Sequence, residues 1–172
     1  QFTYAKLGQV IEGLKQLGFY TVIEAALGAD MVAYAECKEL AEKGFLTSSC
    51  CPAFVSYIEK AFPALLPYVS HNPSPMTAIA QYLKVHEAPC KVVFIGPCTA
   101  KKAEVQKDSV RPYVDAAMTF EELQALFDSR DFDITALSES VLDNASYFGR
   151  IFARSGGLSD AVQQGLKERG MD

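Results

Sequence analysis

The chain has 172 residues, of which 49% are hydrophobic and 22% charged, and its formal net charge is −5. This length and composition are typical of one globular domain that buries a core without disulfide bonds, and they exclude a disordered chain. The sequence contains neither a basic stripe nor a run of about 20 apolar residues, so we expect no nucleic-acid partner and no membrane span.

The first half of the chain alternates predicted helices with short apolar segments. Helical spacing of apolar residues predicts a helix over 7–17, followed by a short strand at 20–23. A second helix over 31–43 leads to a short strand at 45–48. A proline in the first turn then starts a third helix over 52–62.

The second half continues the alternation. A Ser-Pro pair predicts the start of a helix over 74–86, and the sequence KVVFIG at 91–96 is the clearest buried strand. A capping box precedes a helix over 120–127, and two glycines open a last helix over 155–169. The polar stretch 128–147 has no clear period. We therefore expect an α/β fold with a mainly parallel sheet flanked by helices.

The number of cysteines is odd, and the chain carries no secretory signal. Both features indicate reduced thiols in the cytoplasm rather than a disulfide framework. The chain begins at Gln1 without a methionine, so we expect it to be an excised part of a longer protein. The five cysteines are Cys37, Cys50, Cys51, Cys90 and Cys98.

Two of these cysteines are adjacent, in the sequence SSCCP at 48–52. They precede a predicted helix, whose dipole favours the thiolate form that binds metals or moves protons. Cys98 and Lys101 lie in the sequence PCTAKKAE at 97–104, directly after the strand KVVFIG. Ligands of α/β folds bind at such strand ends.

The other readings of the cysteines are less specific. Cys37, inside a helix, and Cys90, without polar neighbours in the sequence, are expected to be small buried hydrophobes. A zinc site is less favoured than an iron–sulfur site, because no C-x₂-C spacing is present. A vicinal-dithiol redox enzyme remains an alternative, but it gives Lys101 no role.

The two segments resemble the first two signature motifs of the [FeFe]-hydrogenase active-site domain, Thr-Ser-Cys-Cys-Pro and Met-Pro-Cys-x-x-Lys-Lys-x-Glu. Flanking segments at 17–19, 28–30 and 149–157 are similar to the family as well. The resemblance implies reversible reduction of protons to H₂ at an H-cluster, which joins a [4Fe–4S] cluster to a diiron subcluster. It also implies a ferredoxin-like electron donor or acceptor.

The resemblance assigns roles to individual residues. Cys51 and Cys98 match ligands of the [4Fe–4S] cluster, and Cys50 matches the thiol that passes protons to the diiron site. Lys101 matches the lysine that hydrogen-bonds a cyanide ligand, a charge-assisted contact. Ser74 and Pro97 match residues that line the diiron pocket, and Phe152 matches a nearby aromatic. Gly96 occupies a further position beside that pocket.

A proton path follows from the same resemblance. Glu36, Glu39 and Ser70 match positions of the family's main path, which begins at Cys50. The two glutamates are three residues apart on a predicted helix and therefore share a face. A solvated helix face is the alternative for the glutamates, and a helix cap is the alternative for Ser70. His71 and His86 match nothing in the family, and we expect both on the surface.

Four positions depart from the family pattern, namely Gly96, Met76, Ser48 and Arg154, the last of which replaces a small residue and has no structural explanation. Gly96 stands where the family usually has methionine, a change also found in its sensory branch. Met76 stands where a glutamine often helps to hold a cyanide, and Ser48 replaces threonine in the first motif. The first of these changes keeps open an H₂-sensing domain with slow turnover. A non-enzymatic hydrogenase-like iron–sulfur protein is a further alternative.

The family's third motif, Glu-x-Met-x-Cys-x-x-x-Cys, is absent, as is the strand that begins its domain. We therefore expect residues 1–172 to be a fragment of the H-cluster domain. Such a fragment offers two of the four cluster cysteines. Alone, it is expected to be inactive and to hold no cluster, or only a partial and labile one.

Overall fold

The computed structural model describes residues 2–171. Within this range, eight α-helices surround two short β-strands, β1 (Val93–Ile95) and β2 (Ala116–Met118). Short 3₁₀ turns cover Pro63–Tyr68 and Ile134–Ala136. The helices are α1 (Leu7–Gln16), α2 (Ala25–Lys43), α3 (Pro52–Ala61), α4 (Pro75–His86), α5 (Ala100–Val105), α6 (Phe120–Asp128), α7 (Tyr147–Ile151) and α8 (Gly157–Glu168).

The sheet is small and parallel. β1 pairs with β2 in the register Val93–Ala116 to Ile95–Met118, and α5 lies in the connection between the two strands. A separate parallel bridge joins Thr47 to Val69. The predicted α/β class with a parallel sheet flanked by helices is confirmed, with helices dominating.

Local sequence signals set most helix ends. α2 ends at Gly44, whose φ of +73° lies in the left-handed region that glycine adopts most easily. Ser74 caps α4 by accepting the N–H of Thr77, and Thr119 forms a capping box with Glu122 at the start of α6. These ends agree with the predicted ones.

Two predicted strands are wrong. The segment 20–23 has no strand partner among the described residues, and the segment 45–48 contributes only the bridge at Thr47. α2 also starts earlier than predicted, at Ala25. Its first turns cross α4 closely, since a Cβ at Gly28 would lie 2.1 Å from the carbonyl oxygen of Pro75. Only glycine fits at such a crossing.

α2 is the central helix, and α4, α7 and α8 pack on it. Its buried face joins Val32 and Cys37 to Phe152, Ala161 and Val162 in one apolar cluster. This packing fixes the rotation of α2 about its axis. It therefore decides where the acidic side chains of α2 point. None of the helices within residues 2–171 is long and apolar enough to cross a membrane.

Candidate functional site

Glu36 lies on the buried side of α2 and is only 1% exposed. Ser48 Oγ donates to Glu36 Oε1 over 2.6 Å. Burial raises the pKa of Glu36, while the hydrogen bond from Ser48 opposes the rise. The site thus holds a carboxyl group that binds a proton more readily than a solvated one.

Cys50 is half-buried and packs against the cluster that contains Phe152. Its backbone N–H donates to Ser48 Oγ over 3.3 Å. Burial raises the pKa of the Cys50 thiol, although a hydrogen bond with Ser48 opposes this. The helix dipole was expected to favour a thiolate here. Burial instead favours the protonated thiol at Cys50.

Glu39 lies three residues further along α2, toward solvent, and accepts several hydrogen bonds. Ser70 Oγ donates over 2.9 Å, Asn72 Nδ2 over 2.9 Å and Lys43 Nζ over 2.7 Å. Burial alone would raise the pKa of Glu39, but the donors, Lys43 and Ser70 foremost, hold it below its ordinary value. Two carboxyl groups on one helix face thus have pKa values shifted in opposite directions.

Lys101 joins the two cysteine segments. Its ammonium group donates to the carbonyl oxygen of Cys50 over 3.2 Å and to Glu104 Oε2 over 2.6 Å. The side chains of Lys101 and Glu104 are 10% and 8% exposed. A lysine ammonium has three N–H donors. These two acceptors leave one N–H without an acceptor among residues 2–171, so it is available to an anionic ligand.

A chain of hydroxyl groups supports this ion pair. Thr77 Oγ1 donates to Glu104 Oε1 over 3.3 Å, and Ser74 Oγ lies 3.3 Å from Thr77 Oγ1. Ser74 and Thr77 are both buried. The structure thus connects Ser74 to Lys101 through Thr77 and Glu104.

The two proposed cluster ligands, Cys51 and Cys98, are both exposed. Cys51 is the N-cap of α3, and its Sγ accepts the N–H of Phe54 over 3.5 Å. Cys98 follows β1, and its carbonyl oxygen accepts the N–H of Lys101. Among residues 2–171, no group of three or more His, Cys, Asp or Glu side chains could hold a metal ion. Cys51 and Cys98 are thus two exposed free thiols, fewer than the four that a cubane cluster requires.

The remaining pocket residues differ in their surroundings. Gly96 is buried, and a Cβ built there would meet the Phe94 ring at 2.8 Å. The ring of Phe94 thus occupies the space beside Gly96 into which a side chain would point. Pro97 is exposed, and Met76, at 2% exposure, packs with Val105 and its apolar neighbours.

Some participants were missed by the sequence analysis. Ser48, which replaces the threonine of the family's first motif, contacts both Glu36 and Cys50. Glu104 is three residues from Lys101, a helical spacing that could have indicated the ion pair. His71 is on the surface, as predicted, but Nδ1 lies 2.9 Å from Glu39 Oε1. No local signal in the sequence indicates that contact.

Comparison with known proteins agrees along almost the whole chain. The family described as "Iron only hydrogenase large subunit, C-terminal domain" matches residues 2–171. Iron hydrogenase 1 of Clostridium pasteurianum is 30% identical over 184 aligned positions, which cover 94% of this chain and 32% of that protein. The cytosolic Fe-S cluster assembly factor NAR1 of Eremothecium gossypii is 29% identical, over 76% of this chain and 31% of that protein.

Solved structures show the same fold. A variant of the [FeFe]-hydrogenase HydA1 from Chlamydomonas reinhardtii matches with a TM-score of 0.72 and 29% identity, covering 81% of this chain and 40% of that one. A structure of HydA(deltaEFG), described as revealing stepwise H-cluster assembly, matches with a TM-score of 0.73 and 31% identity over the same shares. The chain thus spans less than half the length of these relatives.

Proposed function

The chain belongs to the iron-only hydrogenase large-subunit family, and from that premise we propose that it forms part of a hydrogenase active-site domain. The complete protein would interconvert protons and H₂, exchanging electrons with a ferredoxin-like partner in the cytoplasm. Residues 1–172 would supply the proton path and half of the cluster ligands. The rest of the domain, including two further cysteines, would come from elsewhere in the protein.

The hydrogen-bonded series that starts at Cys50 carries this proposal. Ser48 donates to Glu36 and interacts with the thiol of Cys50, and Ser70 interacts with Glu36 as well as with Glu39. The series thus alternates groups that hold a proton with hydroxyl groups that donate and accept at once. A solvated helix face would not bury Glu36 or bring Ser48 and Ser70 onto the two carboxyl groups.

The pKa shifts order the groups by how readily each binds a proton. The protonated thiol of Cys50 can donate toward the pocket, and Glu36 can return a proton to it through the hydroxyl of Ser48. Glu39, ionised at the outer end, accepts protons from the solvent side. Each transfer is a move between neighbouring groups in a site that excludes bulk water at Glu36.

The proposed cofactor sites lie next to this path. Cys51 and Cys98 would bind the [4Fe–4S] cluster, and the free N–H of Lys101 would donate to a cyanide ligand of the diiron subcluster. When bound, the H-cluster supplies the iron centre at which protons and electrons combine. Ser74, Gly96, Pro97 and Phe152 would enclose that subcluster and exclude water.

Two other functions remain candidates for specific reasons. The glycine at position 96, found in the family's sensory branch, favours an H₂ sensor with slow turnover. The likeness to a cytosolic Fe-S cluster assembly factor favours a non-enzymatic role. Lys101 and the acidic path argue against the second candidate, because by the resemblance such relatives lack both.

An infrared spectrum of the full-length protein, matured anaerobically with the diiron cofactor, tests the proposal. Carbon monoxide and cyanide bands from iron are expected, and H₂ turnover would then separate an enzyme from a sensor. A cubane cluster without those bands would identify a cluster-carrying relative and overturn the proton path. In the enzyme, Cys50→Ala should abolish most turnover, and near-normal activity would remove Cys50 from its role.

A further inference from the structure

His71 connects Glu39 to solvent. Its side chain is 77% exposed, whereas that of Glu39 is 13% exposed. The His71 backbone N–H lies 3.2 Å from both carboxylate oxygens of Glu39, and ring atom Nδ1 lies 2.9 Å from Oε1. The imidazole thus contacts bulk water and also Glu39, at the outer end of the proposed path.

The position of Nδ1 suits a group that gains and loses a proton. Nδ1 lies 3.2 Å from Lys43 Nζ, which can only donate, and 2.9 Å from Glu39 Oε1, which accepts. A protonated Nδ1 donates to Glu39, and an unprotonated Nδ1 accepts from Lys43. The nitrogen therefore has a hydrogen-bond partner in both protonation states, and neither state leaves a polar group unsatisfied.

We propose that His71 is the proton-exchange group at the solvent end of the path, an inference that rests on the proposed function. A proton from water or buffer joins the vacant ring nitrogen and gives the imidazolium. The Nδ1 proton then passes to Oε1 of Glu39 and leaves the neutral Nε2–H ring. This exposed ring returns to the Nδ1–H form by exchanging protons with water, and the next solvent proton recharges it. Imidazole is the side chain that ordinarily exchanges protons near neutral pH. In H₂ oxidation the same steps run outward.

The charged groups around the ring are consistent with this role. Glu39 and Lys43 face it from α2, while Ser70 and Asn72, beside it in sequence, contribute only neutral groups. Lys43 and Ser70 hold the pKa of Glu39 low, so the carboxylate is ready to accept a proton from the ring. Glu39 in turn contacts Ser70, the next group inward.

The test follows proton uptake by Glu36 in the full-length protein without a cofactor. A light-triggered pH jump is applied at low buffer concentration, and the carboxylic acid band of Glu36 is followed by time-resolved infrared spectroscopy. The Glu36→Gln variant identifies that band. In His71→Gln the amide can still contact Glu39 but cannot exchange a proton, so uptake should slow roughly tenfold. Added imidazole should restore the rate.

His86→Gln is the matched control, because His86 is also exposed but packs against the ring of Tyr82, with ring centroids 4.3 Å apart. It should leave the rate unchanged. If Glu39→Gln slows uptake and His71→Gln does not, the role of His71 is overturned while the path stands. If neither variant slows uptake, the path itself fails. If His71→Gln slows uptake and added imidazole does not restore the rate, His71 has only a structural role, and the proposal is overturned.

Discussion

Lys101 donates to Glu104 over 2.6 Å inside the protein, three residues along the same short helix. The pair holds the ammonium group at the carbonyl oxygen of Cys50, between the two cysteine segments. A buried ion pair of this kind contributes little net stability by itself, but breaking it leaves one charge without compensation. Its function in this chain is therefore to position a cation.

Glu104→Gln should lower the free energy of unfolding by about 3–5 kcal/mol, because Lys101 then remains buried without its counter-charge. Urea unfolding measures the change, which should appear as a lower midpoint concentration with an unchanged m-value. The exposed pair Lys6–Glu139 provides the control, and Glu139→Gln should have a much smaller effect. If the two substitutions lowered the free energy of unfolding equally, breaking the buried pair would cost no more than breaking an exposed one.

The two glutamates of α2 should give opposite pH dependences of stability. Burial raises the pKa of Glu36 above the ordinary value of 4.5, so the folded state holds that proton more tightly than the unfolded chain. The stability gained is complete below pH 4.5 and is lost as the pH rises through the folded pKa. The free energies of unfolding of the wild type and of Glu36→Gln should be measured from acid to neutral pH. The difference in favour of the wild type should become smaller as the pH rises.

The contribution of Glu39 to stability should depend on pH in the opposite direction. The hydrogen bonds from Lys43 and Ser70 outweigh burial and lower its pKa below 4.5, so its contribution is present above that pH and is lost in acid. Glu39→Gln should therefore destabilise the protein at neutral pH and approach the wild type as the pH falls. The same slope for both variants would contradict the different surroundings of the two carboxyl groups.

The sequence predicted the elements whose signals are local. Ser74 and Pro75 specify the start of α4 by a side-chain cap and a proline in the first turn, and both ends of this helix agree with the prediction. The segment 20–23 has strand propensity but no partner among the described residues, so it forms no strand. β2 was missed because its sequence, AAM, is defined only by its pairing with β1.

The same distinction applies to the site. The shared face of Glu36 and Glu39 follows from helical spacing alone. The contacts of Ser48 and Ser70 depend on how the loops at the two cysteines and before α4 return to α2. That geometry comes from the packing of α2 on α4 and from the bridge between Thr47 and Val69. Only a resemblance to a family could place these groups from the sequence.

Ser48 should be replaceable by threonine but not by alanine. Ser48→Ala removes the donor to Glu36 and leaves a buried carboxyl group less satisfied, at a cost of about 1–3 kcal/mol in stability. It should also raise the pKa of Glu36 further and slow proton delivery to Cys50. Ser48→Thr keeps the hydroxyl group, so the stability of the protein and the pKa of Glu36 should stay at their wild-type values. Infrared titration of the Glu36 carboxyl group and unfolding experiments measure these changes, and full function of the alanine variant would remove Ser48 from the path.

Iron binding should depend on Cys51 and Cys98 and not on Cys90. In the full-length protein reconstituted anaerobically, Cys51→Ser or Cys98→Ser should reduce cubane iron and its absorption, because each removes a proposed thiolate ligand. Cys90→Ser is the matched control, since this half-buried thiol faces the Leu83 carbonyl oxygen. Residues 1–172 alone should bind iron substoichiometrically, and a stable stoichiometric cluster in that chain would contradict the half-site.

Gly96 and Phe94 should be energetically coupled. A Cβ at residue 96 would lie 2.8 Å from the Phe94 ring, so Gly96→Met forces the ring to move and should cost about 1–3 kcal/mol in stability. Phe94→Ala alone should also destabilise the protein, because it removes a partly buried ring and leaves its packing space empty. In the double variant the methionine side chain can fill the space of the ring, so the combined loss should be smaller than the sum. Thermal unfolding of the four proteins measures the coupling. Additive losses would show that the ring does not take the place of a side chain at residue 96.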